Sequence, residues 1–267
     1  MIKLRKKNFV SFKKSFDSIC ASGKSPTVIN SLAGQRNEIE ARVLKYLNNR
    51  RALENVFPAA LSPDISVELK SCYDGMPSDL KFQLELSHKY FLRGLHVCPY
   101  CLISEADTKD HYLPKEDFPE FSFLSYNLIP CCANCNRRKG RQFLKDGRRL
   151  FFNPYFDSVP GRILDVELSL ARETVSFHLV EKDSLLASHV EKLNIIERYN
   201  DKGAGVLSEI IYLLNDYPSM RDEEEFVNHM DVEYNKSKSR YGINHYTSLI
   251  YEKLLLSGLV GQVLQDP

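Results

Sequence analysis

Along most of the chain apolar positions recur at helical spacing, and they alternate in only a few short stretches. This predicts an α+β protein that is mainly α-helical. Over 28–57, Ile29, Leu32, Ile39, Val43, Leu47 and Phe57 keep helical spacing, while Glu38, Glu40, Arg42, Lys45 and Arg50 fall largely elsewhere. Ser25-Pro26-Thr27 reads as the start of that helix, Gly34 as an interruption, and Pro58 and Pro63 as its close. A shorter helix is predicted over 78–92, with Leu80, Leu84 and Leu86 on its apolar side. Beyond residue 162 the period changes. Val166, Leu168 and Leu170, then Val175, Phe177 and Leu179, flank Arg172-Glu173 and predict a β-hairpin over 162–171 and 174–181. Helical spacing returns over 184–199, over 206–214 ahead of Pro218, and over 222–264 with a break near Tyr241-Gly242. The acidic run Asp222-Glu223-Glu224-Glu225 suits a first helical turn, where the helix dipole favours negative charge. The apolar tail 257–264 reads as core or as a partner surface.

Neither period describes residues 98–140. Here two CxxC pairs, Cys98/Cys101 and Cys132/Cys135, stand thirty residues apart (102–131). Each pair puts two thiolates on one tight knuckle, and four thiolates close a tetrahedral Zn²⁺ site with no open position, so this zinc is expected to be structural. Between the pairs lie Asp110-His111, Pro114 and Asn127, and Asn136 follows the last cysteine. Phosphodiester hydrolysis needs an activated water and a stabilised leaving oxygen. A neutral imidazole can take the proton from water, and Asp and Asn oxygens suit Mg²⁺ or Mn²⁺. Strands are expected near Asp110 to Leu113 and near Leu128-Ile129. A helix starting near Cys132 to Asn136 is expected to carry Lys139 outward. The loop aromatics Phe118, Phe121, Phe123 and Tyr126 are expected to pack on the zinc knuckle, and Cys131 to fill core.

The order CxxC, DHxxP, NLxPxCxxCNxxKG resembles the HNH nuclease family in its zinc-fastened ββα-metal form, over residues 98–140 of 267. The resemblance implies that His111 is the general base, that Asp110 is a ligand of a divalent ion, and that Asn127 braces the loop and orients the histidine. Asn136 takes the third position, where some members carry His and others Asn, which leaves the preferred ion open between Mg²⁺ and Mn²⁺. The implied function is a DNA endonuclease in which His111 deprotonates a water and an ion held by Asp110 and Asn136 stabilises the leaving 3′-oxygen. The residues by themselves do not separate DNA from RNA. A non-catalytic zinc module that binds nucleic acid or protein is the alternative. In size and arrangement the chain is also similar to HNH subunits of bacterial anti-phage defence systems, which implies a protein partner such as an ATPase that activates the nuclease.

Composition bounds this picture. An apolar share of 43% with 12 Gly and 12 Pro suits a folded protein, and no window approaches a membrane span. The basic N-terminus lacks the apolar core of a signal peptide, and seven cysteines suit a reducing cytoplasm, so a cytoplasmic protein with no membrane partner is expected. Net charge is only +1, but basic residues cluster at 1–14 and at 137–149. In the second cluster Arg137, Arg138, Lys139 and Arg141 abut the candidate site and are expected to meet phosphates. The predicted layout is a helical region over 1–92, the HNH module over 93–157, and the hairpin with further helices over 158–267.

Overall fold

The computed structural model describes residues 4, 9–22, 24–91, 96–170 and 172–256. Ten α-helices and six short strands among them make an α+β fold that is mainly helical. Among the described residues the strands form three separate antiparallel pairs and no larger sheet. The described residues fall into two compact units, one within 4–100 and 104–158, the other within 101–103 and 159–256.

In the first of these units, five helices precede the short strands: α1 (Phe12–Cys20), α2 (Pro26–Gly34), α3 (Arg36–Asn48), α4 (Pro63–Asp74) and α5 (Ser78–Phe91). The basic stretch around Lys13 and Lys14 hides α1. Ser11 caps it by accepting from the Lys14 amide, and Phe12, Phe16 and Ile19 are buried while the two lysines stay exposed. Lys3, Arg5, Lys6 and Lys7 lie outside the described residues. The helix expected over 28–57 is two helices that meet at Gln35, next to Gly34. Pro63 opens a helix where the sequence suggests a close. Ser62 accepts from the Ile65 amide, and proline fits the first turn because that position has no intrahelical acceptor to satisfy.

The module that follows is ββα. β1 (Thr108–His111) pairs antiparallel with β2 (Leu128–Cys131), with Asp110 opposite Ile129 and His111 opposite Leu128. Then comes α6 (Ala133–Lys139), closed by Gly140 at φ 50°, a backbone angle that favours glycine. A two-residue-per-strand hairpin, β3 (Leu144–Lys145) and β4 (Arg148–Arg149), completes the unit. The loop aromatics do not pack as expected. Phe121 meets Tyr46 of α3 and the Arg42 guanidinium, Phe123 meets Phe12 and Phe16 of α1, and Tyr126 meets Phe9. The N-terminal helices supply the apolar floor on which the loop sits.

In the other unit β5 (Leu164–Ser169) and β6 (Thr174–Leu179) form the expected hairpin, with Val166 opposite Phe177. Around it lie α7 (Leu185–Lys192), α8 (Ile195–Asp216), α9 (Glu223–Tyr241) and α10 (Tyr246–Leu256). α8 runs unbroken through Gly203 and Gly205 where two helices were expected. Gly203 is needed for close approach to the hairpin: a Cβ there would stand 2.9 Å from the Phe177 ring and 3.2 Å from Val175. The predicted break at Gly242 is present, with φ 89°, and Asp222 caps the acidic first turn of α9 through the Glu225 amide. The tail 257–264 lies outside the described residues. No described helix is long and apolar enough to cross a membrane.

Candidate functional site

The four cysteines converge. Ligand atoms of Cys98, Cys101, Cys132 and Cys135 all lie within 4.8 Å of one another, and all four residues are buried. Tetrahedral zinc with Zn–S bonds of about 2.3 Å needs sulfurs roughly 3.8 Å apart, so the cluster fits that ion. Each knuckle is built by its own backbone. The Ile103 amide points at Cys101 Sγ (3.5 Å), and the Cys135 amide at Cys132 Sγ (3.4 Å), which makes Cys132 the N-cap of α6. Leu102 takes a positive φ of 60° to close the first knuckle. Arg198 of α8 donates to Cys101 Sγ at 3.3 Å, and Tyr199 Oη donates to the Cys101 carbonyl at 3.1 Å. Such outer contacts offset thiolate charge and fix ligand orientation. Cys131, beside a ligand, is buried next to Thr108 Oγ1, and burial pushes its thiol well above the ordinary range.

Asn127 and His111 share one loop. Asn127 is fully buried; its Oδ1 accepts from the Leu113 amide (2.8 Å), and its Nδ2 donates to the Leu113 (2.9 Å) and Phe121 (3.3 Å) carbonyls. One side chain thus ties the exit of β1 to the loop turn at Pro119–Phe121. The next carbonyl, Ser122, lies 2.8 Å from His111 Nε2, and Ser122 Oγ in turn donates to the Leu69 carbonyl of α4 (2.7 Å). A carbonyl only accepts, so Nε2 carries the proton in the neutral ring and Nδ1 is its basic atom. Tyr73 of α4 stands edge-on to the imidazole, with centroids 4.4 Å apart, and Lys115 reaches over the Tyr73 ring. Burial is the largest influence on His111 and lowers its pKa; the Ser122 carbonyl and the Asp110 carboxylate oppose it. The imidazole is therefore neutral at pH 7.

Asp110 is different. Its Oδ1 lies 3.0 Å from Lys139 Nζ, and its Oδ2 accepts from Tyr100 Oη at 2.8 Å. Burial and the adjacent carboxylate hold the Tyr100 phenol well above its ordinary range, so it stays a donor. Lys139 is fully buried, which corrects the expectation that α6 carries it outward to phosphates. Its ammonium also donates to the His111 carbonyl (2.8 Å) and sits beside the Tyr112 and Phe151 rings. The helical period explains this: Asn136 and Lys139 are three residues apart, on the face of α6 that meets β1. Asn136 Nδ2 lies 3.3 Å from both Thr108 Oγ1 and the Lys109 carbonyl. As the side chains stand, Asp110 does not fit a divalent ion: the buried Lys139 ammonium already compensates its charge, and Tyr100 Oη donates to its second oxygen.

Of the basic cluster, Arg137 and Arg138 are exposed at the end of α6, with Arg138 Nε donating to Asn134. Arg141 is exposed and pairs with Asp117 (3.0 Å). Arg149 turns inward to Glu54, Asp157 and Tyr112, which makes it a structural residue. Tyr73, Tyr100, Ser122 and Arg198 escape sequence reading. Nothing in their local sequence marks them, and only the fold brings α4, the first knuckle, the loop and α8 to these positions.

No family profile matches the chain, and no solved structure matches it. The chain is 32% identical over 133 residues to Protein ea31 of Escherichia phage lambda, an alignment that covers 45% of each protein. It therefore spans less than half the length of that relative.

Proposed function

We propose that this chain is an HNH-type endonuclease that hydrolyses phosphodiester bonds of DNA, with zinc at the four cysteines as a fastener. What carries the reading is the His111 arrangement. Its Nε2 is anchored on the Ser122 carbonyl, the loop behind that carbonyl is braced by Asn127, and burial keeps the ring neutral. A ring held this way presents Nδ1 to a water in one tautomer, as general-base catalysis requires. The proton leaves the water for Nδ1 as its oxygen attacks phosphorus, the P–O3′ bond breaks with its electron pair going to the 3′-oxygen, and that oxygen takes a proton from solvent water. Arg137 and Arg138 are the exposed cations at the end of α6 that would meet the backbone phosphates. The resemblance also calls for Mg²⁺ or Mn²⁺, and no step is assigned to that ion because Asp110 is engaged by Lys139 and Tyr100. Activation by a protein partner, in a defence system of the ATPase-paired kind, is the part of the proposal that rests on resemblance alone.

The direct test incubates the zinc-loaded protein with supercoiled plasmid in Mg²⁺, in Mn²⁺ and in EDTA, beside His111→Ala. Nicking or linearisation that disappears in His111→Ala is the expected result. Cleavage that survives in the variant at the wild-type rate removes His111 from the mechanism.

A further inference from the structure

We propose that the Lys139 ammonium is the resident positive charge at Asp110, where the resemblance calls for a divalent ion, and that the pair fastens α6 to β1 behind His111. Lys139 and Asp110 are 0% and 2% exposed, and their charged atoms lie 3.0 Å apart. Tyr100 takes the second carboxylate oxygen, and the His111 carbonyl takes a further proton of the ammonium. The Tyr112 and Phe151 rings flank the cation at 5.9 and 5.7 Å from their centroids, adding a favourable quadrupole field. A carboxylate and an ammonium so arranged cancel in charge. A dication entering at Asp110 would meet an ammonium already in place and would have to expel it from a buried site.

The same face of α6 touches every residue of β1. Asn136 reaches Thr108 and the Lys109 carbonyl, while Lys139 reaches Asp110 and the His111 carbonyl. Lys139 is therefore a positioning residue: it holds the backbone at His111, and the ring is anchored separately through Ser122. The inference rests on the proposed role of His111 only for its functional meaning.

Its test is metal binding. Free Mn²⁺ is followed by its electron paramagnetic resonance signal as it is titrated into the zinc-loaded full chain, for wild type, Asp110→Asn, Lys139→Met and Asp110→Asn/Lys139→Met. Wild type and Asp110→Asn are expected to give superimposable isotherms. Lys139→Met is expected to bind Mn²⁺ at least tenfold more tightly than either, a gain that the double variant loses. Lys139→Gln, which retains a donor for the His111 carbonyl, replaces Lys139→Met should circular dichroism show the latter unfolded. Wild-type binding of one Mn²⁺ per chain that Asp110→Asn weakens tenfold or more would overturn the proposal. Plasmid cleavage is scored separately, so a protein without activity would sink the hydrolase reading and leave these isotherms as they are.

Discussion

Asp110 and His111 are neighbours in one strand and live in opposite circumstances. Successive side chains of a strand point to opposite faces, so the two residues enter different surroundings. Asp110 enters an interior where Lys139 and Tyr100 satisfy both its oxygens. His111 enters a half-buried niche walled by Tyr73 and anchored to Ser122. The first is held in place by compensation: a buried charge is tolerable only when paired and hydrogen-bonded. The second has one ring nitrogen fixed as a donor, which makes its other nitrogen the basic atom. A dipeptide that reads as one catalytic unit thus splits: Asp110 is compensated on all sides, and the proposed chemistry falls to His111 alone.

The comparison breaks most completely if the four-cysteine cluster is opened. Cys132→Ser takes away one of four thiolates and the N-cap of α6, and structural zinc contributes on the order of 10 kcal/mol to small modules. Loss of bound zinc by atomic absorption, with loss of the cooperative thermal transition of the module, is the expected outcome. Both faces of β1 should then be lost together. Retention of one zinc per chain in this variant would show that Cys132 is not a ligand.

Next in size is Asp110→Ala. Removing one partner from a buried pair leaves Lys139 charged and unpaired, at a cost of about 3–5 kcal/mol. Urea denaturation should register that loss, whereas His111→Ala, on the other face, should change stability by no more than about 1–2 kcal/mol. Equal losses in the two variants would erase the distinction between fastening and chemistry. Asn127→Ala belongs beside Asp110→Ala. It orphans the Leu113 amide and two carbonyls in a fully buried loop, about 1–3 kcal/mol for each group left without a partner. It should also lower plasmid cleavage about as far as His111→Ala does, since the loop carries the Ser122 carbonyl.

The smallest effects concern protons. Burial, assisted by Lys109, lowers the pKa of His88 to about 3, so its neutral form belongs to the folded state. The unfolded imidazole titrates near 6.5, so below that pH the unfolded chain binds the extra proton and the native chain does not. Stability is therefore full above pH ~6.5 and falls as the pH drops toward 3, a dependence that His88→Gln should reduce in urea melts at pH 4–6. For His111 the pKa is lowered as well, so cleavage should stay high below pH 6.5, where an ordinary imidazole would already be protonated. A rate profile that falls with an apparent pKa of 6.5 or above would contradict the burial of that ring.

Much of the site is legible without coordinates, for a definite reason. Zinc chemistry constrains spacing along the chain: two thiolates on one knuckle need two intervening residues, so Cys98/Cys101 and Cys132/Cys135 announce the cluster. Asn127 and the helix from Ala133 onward follow from motif order, and the β5–β6 hairpin and the Gly242 break follow from period and turn chemistry. Local rules also mislead where a long-range contact outweighs them. The stretch between 199 and 206 reads as a gap between two helices until Gly203 is seen against Phe177 and Val175, and α1 is masked by its lysines. Pro63 and Lys139 belong to the same group, one a helix start that reads as an end, the other a buried cation that reads as a phosphate contact.

The sequence by itself determined which four cysteines cluster and the mainly helical α+β class, because these depend on spacing and periodicity that local chemistry enforces. Only the tertiary structure decided which way each side chain points. It put Ser122 against His111, stood Tyr73 from α4 beside the ring, and closed Lys139 and Tyr100 around Asp110. Those partners come from segments far apart along the chain. A buried charge or ring is satisfied by whatever the fold carries to it, and no spacing within its own segment records that choice.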